Sequence, residues 1–180
     1  MSFEDAASRL GGNPFATPIE ARAPARRLRG RLAAPVTVWT AQLGSGERTG
    51  ITVSSVLVAE GEPPDVLGLV DPLSVFFDAA QSSGHFVVHV LSAEQTRLAE
   101  KFALRFPGDP FDGEEVSSTR FGPALESVRT RASCTFVGSS EVGFSRLLRG
   151  RVEEIALDER AARPLVYYRG DYQSVGPRRD

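Results

Sequence analysis

Two histidines four residues apart, His85 and His89, are the chain's only imidazoles, and at helical spacing they would form a metal pair. Between them lies Phe86-Val87-Val88, however, a run that reads as strand; there i and i+4 share a face but stand about 13 Å apart, too far to chelate one ion. The pair reads instead as core or interface histidines, and no metal site is expected. One cysteine, Cys134, cannot close an intrachain disulfide, and with two histidines it falls short of a zinc module. No Gly-x-Ser-x-Gly elbow, Walker loop or Gly-x-Gly-x-x-Gly fingerprint occurs, and no acid pair has glycosidase-type spacing. What remains are hydroxyls. Thr52, Ser54 and Ser55 interrupt a strand-like run, and Asp71-Pro72-Leu73-Ser74 leads into a helix whose first N–H groups can hold an anion such as phosphate. Such groups bind and orient, so an enzyme built from this sequence draws its reactivity from a cofactor.

The elements that must position these residues follow from pattern. Val36, Val38, Ala41 and Leu43 run strand-like to the Gly44-Ser45-Gly46 break; Gly50 to Val58 is a second strand; Asp65 to Val70 is a third, apolar enough for burial on both faces. Pro72 to Gly84 predicts a helix capped by Ser74 and ended by Gly84, and His85 to Leu91 a strand. Ser92 and Gln95 have capping-box spacing, which predicts a helix over about 93–104 carrying Leu98 and Phe102 on one face. Residues 105–123, with Pro107-Gly108-Asp109-Pro110, read as a long irregular connection of the kind that serves as a lid or a partner contact. Strands are expected again at Ala132 to Val137, Leu147 to Ala156 and Leu165 to Tyr168. The whole is mainly β: a barrel or sandwich with a few short helices.

Composition bounds the rest. At 180 residues and 41% hydrophobic, the chain is long enough for one domain with its own core. Its 21 basic and 23 acidic side chains nearly balance, which argues against a nucleic-acid partner or an anionic membrane. No apolar run approaches the roughly 20 residues of a membrane span, the first ten residues are acidic where a signal peptide is basic, and cysteine usage fits a reducing compartment. A cytoplasmic protein is expected. Residues 1–32, with Arg22, Arg26, Arg27, Arg29 and Arg31 clustered among Ala, Pro and Gly, read as a flexible N-terminal arm, followed by a domain over 33–175 and a tail at 176–180.

Taken in order, Pro35-Val36-Thr37-Val38, Thr49-Gly50-Ile51-Thr52-Val53-Ser54-Ser55, Pro63-Pro64-Asp65-Val66-Leu67, Val70-Asp71-Pro72-Leu73-Ser74, Gly84 to Leu91, Leu98 to Ala103 and Pro164 to Tyr172 resemble the signature blocks of the flavin reductase-like family. The resemblance implies a Greek-key FMN-binding split barrel, normally a homodimer. It further implies reduction of FMN, or FAD, by NADH or NADPH, with reduced flavin passed to a partner monooxygenase. By position, Thr52, Val53, Ser54 and Ser55 would line the flavin ring and ribityl chain, Asp71 and Ser74 would lie by its phosphate, and Tyr168, Arg169 and Tyr172 would fall near the flavin or nicotinamide end.

Three departures qualify the match. Val75 follows Ser74 where the family often has a donor, and His89 replaces a usual Asn. The family's Gly-Asp-His falls on Gly143-Phe144-Ser145 when Cys134 and Gly150-Arg151-Val152 are matched. Ser145 reaches less far than histidine and never becomes cationic. Candidate catalytic residues are therefore Ser145, Arg169 and Tyr172, and nicotinamide-dependent reduction is expected to be weaker than with the motif intact. The alternative expectation is a non-catalytic flavin-binding dimer that has lost nicotinamide use.

Overall fold

The computed structural model of the chain describes residues 24–159 and 162–176. In chain order the elements are α1 (Pro24–Arg29), β1 (Ala34–Pro35), β2 (Thr37–Gln42), β3 (Arg48–Val53), β4 (Val56–Ala59), β5 (Asp65–Val70), α2 (Val75–Ser83) and β6 (His85–Val90). A 3-10 turn (Ala93–Gln95) then opens α3 (Thr96–Phe102), followed by β7 (Val116–Thr119), β8 (Gly122–Leu125), β9 (Arg131–Val142), β10 (Ser145–Ala156), β11 (Leu165–Tyr168) and β12 (Asp171–Ser174).

Seven strands form one antiparallel sheet in the order β3-β2-β6-β9-β10-β5-β4. Its two edges are β3 and β4, and only Ser54 and Ser55 separate them in the chain. A link that short brings one edge round to the other, so the sheet rolls into a barrel whose seam is unpaired. This is the mainly β split barrel expected from the sequence. Strands β1, β11 and β12 make a small sheet beside it, and β7 pairs with β8.

Alternation along β2 places Trp39 and Ala41 inside the barrel and Val38, with Val36 just before the strand, against a second core under α3. Inside, Trp39 stacks on Phe86 with ring centres 5.2 Å apart, and Phe76 of α2 meets both edge-on at 6.1 Å. Two glycines make room for these rings. A Cβ on Gly68 would stand 2.6 Å from Trp39 and one on Gly150 would stand 2.3 Å from Phe86, so bare backbone is required at both.

Local signals fixed α2 as predicted: Ser74 Oγ accepts from Phe77 N–H at 3.2 Å, and Gly84, at φ 74°, donates to Ala80 O at 3.1 Å. The capping box forms, with Ser92 N–H donating to Gln95 Oε1 at 2.8 Å. It opens a 3-10 turn rather than the continuous helix expected over 93–104, and α3 stops at Phe102. His89 is fully buried and tied on both sides: Leu125 N–H donates to Nε2 at 3.0 Å, which puts the ring proton on Nδ1, donating to Val38 O at 3.1 Å. Burial lowers its pKa to about 4.

Three expectations need correction. The irregular connection ends at Glu115, because β7 and β8 form a hairpin held to the barrel by the Leu125–His89 bond and by Thr40 donating to Pro123 O. Strand β5 is buried on one face only, with Val66 and Val70 inside and Leu69 38% exposed outside. The run from Gly50 to Val58 is two strands, broken at the seam. Residues 1–23 of the expected arm lie outside the described residues, as do 177–180 of the tail; residues 24–29 are helical, and Gly30 O accepts from Arg169 N–H at 2.7 Å.

Candidate functional site

A cleft of about 1170 Å³ follows the outer edge of β3, crosses the barrel seam and ends at the start of α2. It gathers all six cofactor-binding candidates that precede β6: Thr52, Val53, Ser54, Ser55, Asp71 and Ser74. The fold explains the gathering. Thr52 and Val53 close β3, Ser54 and Ser55 form the link across the seam, and Asp71 follows β5, which passes beside that link.

The hydroxyls differ in what they have left to offer. Thr52 Oγ1 donates to Ala99 O at 2.7 Å and so straps β3 to α3. Ser55 Oγ donates to Leu69 O and accepts from Leu69 N–H, both at 3.1 Å, pinning the link to β5. Ser74 Oγ donates to Asp71 O at 2.8 Å while it caps α2, and Asp71 Oδ1 accepts from Leu73 N–H at 2.9 Å. Ser54 alone in this group has a hydroxyl without a partner among the described residues. Beyond it, the outer edge of β3 has no strand beside it, and the first amides of α2, on Val75 and Phe76, have no intrahelical acceptor. The seam end therefore offers one free hydroxyl, strand-edge backbone groups and a helix N-terminus. Opposite them, Phe102, Ala103 and Leu104 form an apolar wall; Phe102 lies so close to β3 that only glycine fits at Gly50, where a Cβ would stand 2.7 Å away.

The other end of the cleft is ionic, and sequence reasoning assigned it nothing. Arg48 and Glu47 line it, together with Asp109 and Pro110 from the connection read as a lid or contact segment, and Arg29 lines the same cleft. Arg48 Nη2 lies 3.3 Å from Asp109 Oδ2, with its guanidinium 4.7 Å from the centre of the Phe111 ring. Lys101 holds the same connection, donating to Asp112 O and Glu114 Oε1 at 2.6 Å each. A pair 61 residues apart leaves no mark in local pattern, which is why Arg48 and Asp109 went unnoticed.

The remaining candidates do not line the cleft. Tyr168, Arg169 and Tyr172 belong to the small sheet and its turn. Arg169 adopts φ 54° and its guanidinium lies 5.4 Å from the Tyr168 ring centre, while its N–H bond to Gly30 sets this turn beside the cleft residue Arg29. Tyr172 packs edge-on against Tyr167 at 5.2 Å, and burial lifts its phenol to about 12, so it is neutral at physiological pH. Ser145 begins β10 at a two-residue turn in which Gly143 has φ 57° and Phe144 is fully exposed. Arg146 pairs with Val70, which brings this hairpin tip beside the seam end of the cleft. Among the described residues no group of three or more His, Cys, Asp or Glu side chains is placed to hold a metal ion, and no helix is long and apolar enough to cross a membrane.

Known proteins resemble this chain in sequence and fold. Residues 29–176 match the flavin reductase like domain. The chain is 30% identical over 130 residues to the reductase subunit HsaB of a flavin-dependent monooxygenase from Mycobacterium tuberculosis, spanning 71% of this chain and 69% of that protein. It is 32% identical over 159 residues to the NADH-dependent FMN reductase AsuE2 of Streptomyces nodosus subsp. asukaensis, spanning 83% of each. The crystal structure of nitrilotriacetate monooxygenase component B from Mycobacterium thermoresistibile superposes with a TM-score of 0.78 at 26% identity, over 97% of this chain and 89% of that one. A barrel split at a serine-bearing seam, a domain match across most of its length and relatives at this identity make the chain a member of the flavin reductase-like family.

Proposed function

We propose that the chain is an NADH-dependent flavin reductase that binds FMN in the seam cleft and supplies reduced flavin to a separate monooxygenase component in the cytoplasm. The observation that carries the reading is the cleft itself, where Thr52, Val53, Ser54, Ser55, Asp71 and Ser74 converge although up to 22 positions apart. The donor set fits a flavin. A planar ring with a polar edge suits the strand-edge groups of β3 opposite the apolar wall of Phe102 and Leu104, and a phosphate suits the free amides of α2. When bound, the flavin accepts hydride from the nicotinamide and carries the redox chemistry.

The chain's own residues bind and orient. Ser54 donates to the flavin, Ser55 and Thr52 keep the seam rigid through their bonds to Leu69 and Ala99, and Ser74 presets the helix terminus that receives phosphate. Ser145, at the hairpin tip beside the seam end, borders the region where the nicotinamide approaches, and Arg169, whose turn sits beside Arg29, lies toward the rest of the donor. AsuE2 is named for NADH and FMN, and HsaB and component B are named as monooxygenase components, which supports the donor, the flavin and the partner.

An anaerobic titration of the FMN-loaded protein tests this: NADH should bleach the long-wavelength flavin band stoichiometrically. Absence of FMN binding sinks the proposal. A flavin that stays yellow in NADH supports instead a flavin carrier without nicotinamide activity, the reading favoured by Phe144-Ser145 at the turn.

A further inference from the structure

The two ends of the cleft differ in charge. At the seam end the ionic side chain lining the cleft is the Asp71 carboxylate; at the far end Arg48 stands with the carboxylates of Glu47 and Asp109, and Arg29 adds a second guanidinium to the lining. Strand β3 spans the interval from Arg48 to Val53, so the ends lie about 17 Å apart at strand rise. A volume of about 1170 Å³ also exceeds the roughly 300–1,000 Å³ typical of a pocket for one small ligand. The cleft thus has room, and a second anion-receptive end, beyond what a mononucleotide at the seam would use.

Arg48 is poised for exchange. Its bond to Asp109 is a single long contact at 3.3 Å between side chains that are 40% and 44% exposed, a class of ion pair that contributes little. The Phe111 ring beneath it, itself buried, fixes the plane of the guanidinium without engaging its N–H groups. Four of its five donors are left for a phosphate, which a guanidinium binds in bidentate fashion more strongly than a lone carboxylate contact. Arg29 has no ion-pair partner among the described residues.

Resting on the reading of the cleft as a flavin site, we propose that Arg48, assisted by Arg29, binds the adenosine diphosphate moiety of the nicotinamide donor, with Asp109 as the anion it leaves. The pyrophosphate takes over the guanidinium, and the connection carrying Asp109 is released from β3 while Lys101 keeps its base in place. Asp109 Oδ1 retains its bond from Phe111 N–H at 2.9 Å, so the turn persists when the ion pair opens.

Calorimetric titration with adenosine 5′-diphosphate, on the protein loaded with FMN, tests the site without turnover. Arg48→Gln should weaken ADP binding by roughly tenfold or more, and KM for NADH should rise in parallel with kcat little changed. Asp109→Asn, which keeps an acceptor for Phe111 N–H, should tighten both. Unchanged ADP affinity and KM in Arg48→Gln overturn the proposal, and so does an equal loss of FMN affinity, which would mark Arg48 as a general support of the cleft. If the parent protein itself fails to bind FMN, the flavin reading falls rather than this one; if it binds FMN and oxidises NADH while ADP does not bind, only the proposed site falls.

Discussion

At the scale of single residues, His89 links pH to stability. Its neutral ring bridges β6 to β2 and β8, and the folded protein holds its pKa near 4 against 6.5, because burial disfavours charge and Arg131 opposes it while Glu126 and the bond to Val38 O offset part of the effect. Between these values the unfolded chain binds more protons than the folded one. The contribution is therefore complete above pH 6.5 and is lost as pH falls toward 4, up to about 3 kcal/mol for a fully buried ring. Denaturant unfolding at pH 7 and pH 4.5 should show this loss, and His89→Asn, whose amide does not titrate, should remove most of the difference; equal pH dependence in both proteins would assign the effect elsewhere. Ser74 separates two roles in the same way. Ser74→Ala should cost about 1 kcal/mol of stability as a lost cap. It should also weaken FMN binding by about 1.5–3 kcal/mol if the hydroxyl turns its proton from Asp71 O to the phosphate, while riboflavin, lacking phosphate, is unaffected. Equal FMN affinity in parent and variant would leave Ser74 a cap alone. That Ser74 caps α2 was legible because cap and helix are contiguous; that Thr52 and Ser55 spend their hydroxyls on Ala99 and Leu69 was not, since those partners are 47 and 14 residues away.

At the scale of elements, legibility follows the range of the interactions. Strand β6 and helix α2 were readable from β-branched runs and caps a few residues wide. The β7–β8 hairpin was hidden: Val116-Ser117-Ser118-Thr119 and Gly122-Pro123 read as loop, and what makes them strands is contact with His89 and Thr40 across the barrel. The seam was hidden for a different reason, because Ser54 and Ser55 look like two more positions in one strand until β3 and β4 are seen at opposite sheet edges. The β9–β10 hairpin carries its own prediction. Its tip holds Phe144 clear of the rest of the chain, so substitution there removes no packing within the chain. Phe144→Asp with Ser145→His installs at this tight turn the residues that the family resemblance implies there. Under saturating flavin the steady-state rate of NADH oxidation should rise about tenfold, the worth of one well-placed hydrogen bond to the reacting groups. A fast parent that gains nothing would show Phe144-Ser145 to be neutral.

At the scale of the whole molecule, one face of the barrel is too apolar for water. On β5 the inward residues Val66 and Val70 are buried, whereas Leu67 and Leu69 point outward; Leu57 of β4 pairs with Leu67, and Leu147 of β10 pairs with Leu69. Leu57 is 69% exposed and Leu69 38% exposed, and the fully exposed Phe144 stands at the end of the adjoining hairpin. Contiguous leucines across three strands make this face the predicted interface. A second copy is the natural occupant, since a two-fold axis buries the same patch on both chains in one closed interface. Leu69 also lines the cleft, so a second copy on this face would wall one side of the proposed flavin site, and flavin binding would then depend on assembly. Leu57→Glu changes the outer face without touching the cleft lining, and directly opposed carboxylates near a two-fold axis disfavour pairing. Light scattering at micromolar concentration should give a dimer for the parent and a monomer for Leu57→Glu, with FMN affinity reduced by about tenfold or more in the variant as one wall of the site is lost to water. A parent that is monomeric with flavin bound removes the dimer. A variant that is monomeric yet binds FMN as tightly as the parent would keep the interface but place the whole flavin site within a single chain.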